Sequence, residues 1–258
     1  MLLQWLIFFG SGIFSGVLAG FLGIGGGVLL VPLLLALGYE PRQAVATSVL
    51  ALLLTAVSGT WQNWRMGYLN FRHILYLGIP ALLAAQVGVY IADWLPSGLL
   101  LLAFGFMLVA NIYLFEATKE IRENSLQEKP KLPFSPLVSR IFTGGTAGVL
   151  AGLFGIGGGV VLVPLQILLL GSKLATAIQT SLGVIVITAT SAFIGHSFSG
   201  NVLFIEGTAI GVGGIIGAQF STRFLPKLPT KIVGTAFPTL LAILALYTFW
   251  KAWISYGV

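Results

Sequence analysis

GVLAGFLGIGGGVLLVPLL, residues 16–34, returns almost unchanged as GVLAGLFGIGGGVVLVPLQ, residues 148–166, 132 positions later. Each copy sets a glycine knot, GIGGG, inside a run of Leu, Val and Phe. A glycine lowers helix stability by about 1 kcal/mol relative to alanine, so four of them within five residues predict an unwound break. From Met1 to Tyr39 no side chain is charged. At 1.5 Å per residue those 39 residues make about 58 Å of helix, roughly two thicknesses of a ~30 Å hydrocarbon core. The second arm, VLLVPLLLALG, is about 16 Å long, which places its start near mid-membrane.

The rest of the chain agrees with a bilayer. Of 258 residues 57% are hydrophobic and only 8% charged, the mean hydropathy is +1.01, and soluble domains carry about 25% charge. Long uncharged runs recur at 43–64, 74–92, 94–115, 141–172, 174–205, 207–222 and 232–250. This is the pattern of a multi-pass membrane protein. The start MLLQWLIFFG lacks the basic flank and cleavage site of a secretory signal and is read as part of the fold. Zero cysteines exclude disulfides, thiolate metal sites and cysteine nucleophiles. The net charge of +6 sits in short loops, where it reports orientation rather than a nucleic-acid partner.

With one added residue the repeat continues beyond the knots. AVATSV (44–49) aligns with AIQTSL (177–182), AAQ (84–86) with GAQ (217–219), and Leu95-Pro96 with Leu228-Pro229. Two homologous halves, 1–116 and 140–258, are therefore expected, joined by a polar linker at 117–139. The loop bearing Arg65 and Arg72 corresponds to HSFSGN, which has no Lys or Arg, whereas ADWLPSG corresponds to a turn with Arg223, Lys227 and Lys231. Corresponding loops have exchanged their charge. By the positive-inside rule, an inverted arrangement with a cytoplasmic linker leaves only Arg42 and Lys251 outside. Parity then requires each knot segment to leave and return to the same side. The expected fold is an all-α integral membrane protein of two inverted-topology repeats, each a broken-helix hairpin with a glycine knot plus three transmembrane helices, with both termini outside.

Broken backbone in a bilayer must be enclosed by protein or a watery cavity. The arm after each knot begins with unpaired N–H groups at the positive end of a helix dipole, which suits an anion. Pro32 and Pro164 loosen the same arms. The candidate substrate-binding residues are Gly25, Gly26 and Gly27 with Gly157, Gly158 and Gly159, joined by Thr47, Ser48, Thr180 and Ser181 as hydroxyl donors and by Gln86 and Gln219 as amide donors. For these side chains helix-to-helix hydrogen bonding is the competing role. Gly12, Gly16 and Gly20, repeated as Gly144, Gly148 and Gly152, have the four-residue spacing of close helix packing. A dinucleotide loop is excluded by the absence of a strand–turn–helix context. Asn63 and His196 occupy corresponding positions near helix ends, where an interfacial or gating role is expected and the histidine is read as a satisfied surface group.

The doubled G-x-G-G-G-x-x-x-V-P, the Thr-Ser pair downstream, and the loops WRMGYLNFR and SFSGNVLF resemble the sulfite exporter TauE/SafE family over both halves. The resemblance implies a bacterial-type inner-membrane transporter of sulfur-containing anions such as sulfite or organosulfonates, in the export direction. An anion-selective channel or an uptake permease for a related anion remains the alternative. It also implies no enzymatic activity and no cofactor; the partners are the small sulfur oxyanion or sulfonate and the lipid bilayer, with oligomerisation left open. Family loops often carry an acid after Gly-Asn-Val, whereas this chain has Leu69-Asn70-Phe71 and Leu203-Phe204, with Glu206 two residues on. HSFSG (196–200) groups a histidine with serines but lacks the third positioning group of a serine hydrolase.

Overall fold

The computed structural model describes residues 2–124, 135–227 and 230–256. Among them the protein is helical, with no strand. The helices are α1 (Leu2–Leu22), α2 (Gly27–Ala36), α3 (Pro41–Arg65), α4 (Phe71–Trp94), α5 (Ser97–Asn124), α6 (Pro136–Phe154), α7 (Gly159–Leu170), α8 (Leu174–Phe198), α9 (Phe204–Phe224) and α10 (Thr230–Tyr256). Seven are long and apolar enough to cross a membrane: α1, α3, α4, α5, α6, α8 and α10. α9 has 21 residues, enough for a span, but Glu206 and five glycines reduce its hydropathy.

Local chemistry sets the helix ends. Proline fixes the first turn of α3 and α6, where its missing N–H costs nothing. Asn70 caps α4, its side chain accepting from His73 N–H at 3.1 Å. The helix α5 runs past the expected end of the first half to Asn124, and α6 starts inside the expected linker. Residues 125–134 lie outside the described part.

The halves are interleaved. α1 packs on α9 and α6 on α4, so each half's first helix lies against the other half's third long helix. Gly12, Gly16 and Gly20 face Ile210, Gly214 and Ser221; Gly144, Gly148 and Gly152 face the carbonyls of Leu77, Ala81 and Ala85. A Cβ at any of the six would strike the neighbouring helix, so this stripe is a close-packing device. Along both interfaces the contacts advance in the same direction on the two helices. α3 and α8 occupy the middle, each 72% buried over its apolar window, whereas α1 and α4 reach 39%. Between them the register runs the other way, with Leu52 level with Ile185 against the knots and Gly59 against Leu182. α5 and α10 pair at the periphery. Leu75, Ile79, Leu83, Leu246 and Trp253 point outward, the expected lining against acyl chains.

The two ends of the bundle separate chemically. At one end Arg42 Nη2 donates to Leu95 O (3.0 Å), Tyr39 Oη to Glu206 Oε1 (3.4 Å), and Ser199 Oγ and Asn201 Nδ2 to the Asp93 carboxylate (2.5 and 3.3 Å). The turns after α2, α4 and α8 therefore meet. At the other end the Arg140 guanidinium lies 4.8 Å from the Tyr76 ring centroid, and that of Arg65 6.0 Å from the Trp61 ring.

Candidate functional site

Both knots are unwound as their composition requires. Gly23, Gly25 and Gly26 have φ of 69°, 71° and 81°; Gly155, Gly157 and Gly158 have 68°, 68° and 74°. Only glycine adopts these left-handed angles without steric cost. Gly26 and Gly158 then stand as N-caps of α2 and α7. The chain doubles back at each break, bringing Gly26 against Ser15 and Gly158 against Ala147, both well inside the preceding helix.

The hydrogen-bond pattern of the knots is incomplete. Gly23 N–H donates to Ala19 O, and Leu29 and Leu30 N–H donate to Gly26 O. Between them the N–H groups of Ile24, Gly25, Gly26, Gly27 and Val28 find no acceptor among the described residues. The second knot repeats this for Ile156, Gly157, Gly158, Gly159 and Val160. All these residues are buried. Buried amides of folded proteins are almost always paired, so two such clusters mark an unmet demand for acceptors.

The clusters adjoin. The Cβ direction of Gly27 meets Gly155 O at 2.6 Å and Ile156 Cα at 2.8 Å, and that of Gly159 meets Gly23 O and Ile24 Cα. Leu52 of α3 and Ile185 of α8, both fully buried, cover Gly25 and Gly157. The site is thus closed on its flanks by aliphatic side chains. No Asp, Glu, Lys or Arg belongs to the buried polar set among the described residues.

Ser48 and Ser181 lie at the knots, each clasping the opposite half. Ser48 Oγ is 2.9 Å from Gly155 O and 2.7 Å from Val45 O; Ser181 Oγ is 2.7 Å from Gly23 O and 2.8 Å from Ile178 O. Each hydroxyl proton is shared between those carbonyls. Thr47 Oγ1 accepts from Leu203 N–H (3.1 Å) at the start of α9, away from the knots, and Thr180 is buried beside Ser181. Gln86 Nε2 donates to Ser191 O and Oγ (2.6 and 2.8 Å), tying α4 to α8, and Gln219 Nε2 donates to Ser58 O (3.2 Å), tying α9 to α3. The geometry brings the glycines and serines together and leaves the glutamines at helix interfaces.

Some contributors escaped the sequence reading. Thr188 Oγ1 donates to Gly157 O at 3.0 Å, and its repeat-mate Thr55 was a legible signal. Ser15 has no counterpart hydroxyl in the second half, where Ala147 stands. His196 corrects an expectation. It is 2% exposed, not a surface group, with Nε2 at 2.8 Å from Gly152 O. Asn63 is likewise fully buried, with neither amide atom hydrogen-bonded. Tyr39, outside the spans, has its pKa raised by burial and then by the Glu206 charge, so it stays a neutral donor.

The sequence is similar to those of other proteins along most of its length. The chain is 27% identical over 236 residues to the probable membrane transporter protein YjnA of Bacillus subtilis, covering 84% of this chain and 90% of the relative. It is 28% identical over 256 residues to a probable membrane transporter protein of Xylella fastidiosa, covering 97% of each. A third, probable membrane transporter protein MJ0441 of Methanocaldococcus jannaschii, is 28% identical over 192 residues, 72% of this chain and 69% of the relative. The family described as "Sulfite exporter TauE/SafE" matches residues 8–248, and the chain, a multi-pass membrane transporter, belongs to that family.

Proposed function

We propose that this transporter moves small sulfur-containing oxyanions, sulfite or organosulfonates, outward across the cell's inner membrane, binding them between the two glycine knots. The observation carrying this reading is the pair of adjoining, buried N–H clusters with no acceptor. An oxyanion supplies several acceptor oxygens, and the N-termini of α2 and α7 supply favourable dipole ends. Because the donors are neutral, no Lys or Arg has to be buried, which costs about 2.5–3.5 kcal/mol at a helix centre on translocon scales. Ser48, Ser181 and Thr188 hold the knot carbonyls and so aim the donors; Thr47, Gln86 and Gln219 fix the helices that carry them.

The same reading takes the halves, 1–116 and 140–258, as inverted repeats with a cytoplasmic linker. Its support is the opposed register of α3 and α8, the like-directed α1–α9 and α4–α6 pairs, and the meeting of the turns after α2, α4 and α8 at one end. Inverted repeats with discontinuous helices place substrate at the repeat interface. The aliphatic cover over both knots favours a transporter that must rearrange over an open anion channel. Purified protein in proteoliposomes should carry labelled sulfite or a sulfonate with slow, saturable kinetics. Flux of none of sulfite, sulfate and methanesulfonate would refute the substrate class, and unsaturable flux would favour the channel.

A further inference from the structure

The two knots differ in a buried hydroxyl beside the glycine that opens the second arm. Ser15 is 1% exposed, yet its hydroxyl has no hydrogen-bond partner. Buried helix hydroxyls normally back-bond within their own helix, as Thr55 does to Ala51 O (2.8 Å) and Thr248 to Leu244 O (2.7 Å). Ser15 makes no such bond. Its Oγ is instead the nearest atom to the Cβ direction of Gly26, the N-cap of α2, whose N–H and those of Gly25 and Gly27 are themselves unpaired. At the second knot the corresponding neighbour of Gly158 is Ala147, with a methyl group and no hydroxyl.

We propose that Ser15 is a substrate-binding residue and that the first knot, with the Ser15 hydroxyl and the amides of Gly25, Gly26 and Gly27, is the subsite for the charged oxygens of the oxyanion. This rests on the proposed oxyanion site and adds a polarity to it. The second knot has no hydroxyl at the position of Ser15, so this side chain breaks the repeat symmetry of the donors. A ligand with a charged head and an apolar end, a sulfonate, lies with its head at the first knot.

Equilibrium binding of sulfite and methanesulfonate to the purified protein, alongside thermal unfolding, tests this with Ser15→Ala and Ser15→Cys. Loss of one hydrogen bond to a charged ligand weakens binding about ten- to a hundredfold. Ser15→Ala is expected to raise Kd by that factor for both anions. Ser15→Cys, a weaker donor of similar size, should fall between, and the unfolding temperature should not fall, because no protein hydrogen bond is lost. Parent-like Kd values in both variants, with the parent binding, overturn the Ser15 assignment and leave the oxyanion site standing. A parent that binds neither anion overturns both.

Discussion

Ser181→Ala removes one oxygen and exposes how the knots are held. Ser181 Oγ is the sole donor to Gly23 O among the described residues, and Gly23 is buried at the turn that opens the first knot. Its other acceptor, Ile178 O, lies inside α8 and has a helical partner. The alanine variant therefore orphans one buried carbonyl, at a cost of about 1–3 kcal/mol. Ser48→Ala does the same to Gly155 O. For a chain of this size that corresponds to a fall of about 2–12 °C in Tm, at about 2–4 °C per kcal/mol. The two sites adjoin across the knots, so the double variant should depart from the sum of the singles. Thermal unfolding in a fixed detergent measures the shift, and anion binding on the same samples reports whether the amides have lost their aim. Unchanged Tm and unchanged Kd in both singles would refute the claim that these serines clasp the opposite knots.

Gly16→Leu and Gly148→Leu should abolish assembly, seen as lost monodisperse protein, because each Cβ is driven into the backbone of the facing helix; well-folded variants would show that the stripes are not tight. With no native cysteine as background, Ser199→Cys should react with an impermeant thiol reagent only from outside and Arg72→Cys only from inside. Labelling of both from one side would break the inverted reading. Since no carboxylate is in the buried set among the described residues, anion flux should follow membrane potential, about 2.3 kcal/mol per charge per 100 mV, and persist when the pH gradient is collapsed. Loss of flux at constant potential would point to a proton path.

Most of the helical architecture was legible because glycine and charge carry local meaning. GIGGG predicted the breaks, and the four-residue glycine spacing predicted the faces that touch. What the sequence concealed was which partner each polar group chooses. Ser48 and Gln86 look alike as donors in apolar runs, yet one reaches 107 residues along the chain to a knot carbonyl and the other reaches Ser191 at a helix interface. That distinction depends on interleaving of the halves, which no local pattern encodes. The burial of His196 is hidden for the same reason: its place near a helix end says nothing of α6, whose Gly152 carbonyl receives it. The charged stretch that begins at residue 117 has the composition of a linker, and its first part continues α5 to Asn124, since Lys, Glu and Arg are good helix formers.

The same packing bears on how a closed site opens. α3 carries both Leu52, which covers the knots, and Ser48, which clasps Gly155; α8 carries Ile185 and Ser181 in the same two roles toward Gly25 and Gly23. On the proposed reading, uncovering the amides requires these two aliphatic side chains to withdraw. Movement of α3 relative to α8 withdraws them and, in the same step, loosens the serine clasps that hold the amides in place. Access and affinity are therefore opposed by construction. A site built from backbone donors tolerates this, since the amides then exchange the anion for water, whereas a buried lysine or arginine would retain its counter-charge through the cycle. Each knot lies against the helix of its own half that precedes it and is clasped by a serine of the other half, Ser181 at the first knot and Ser48 at the second. A shift of one half against the other consequently acts on both knots at once.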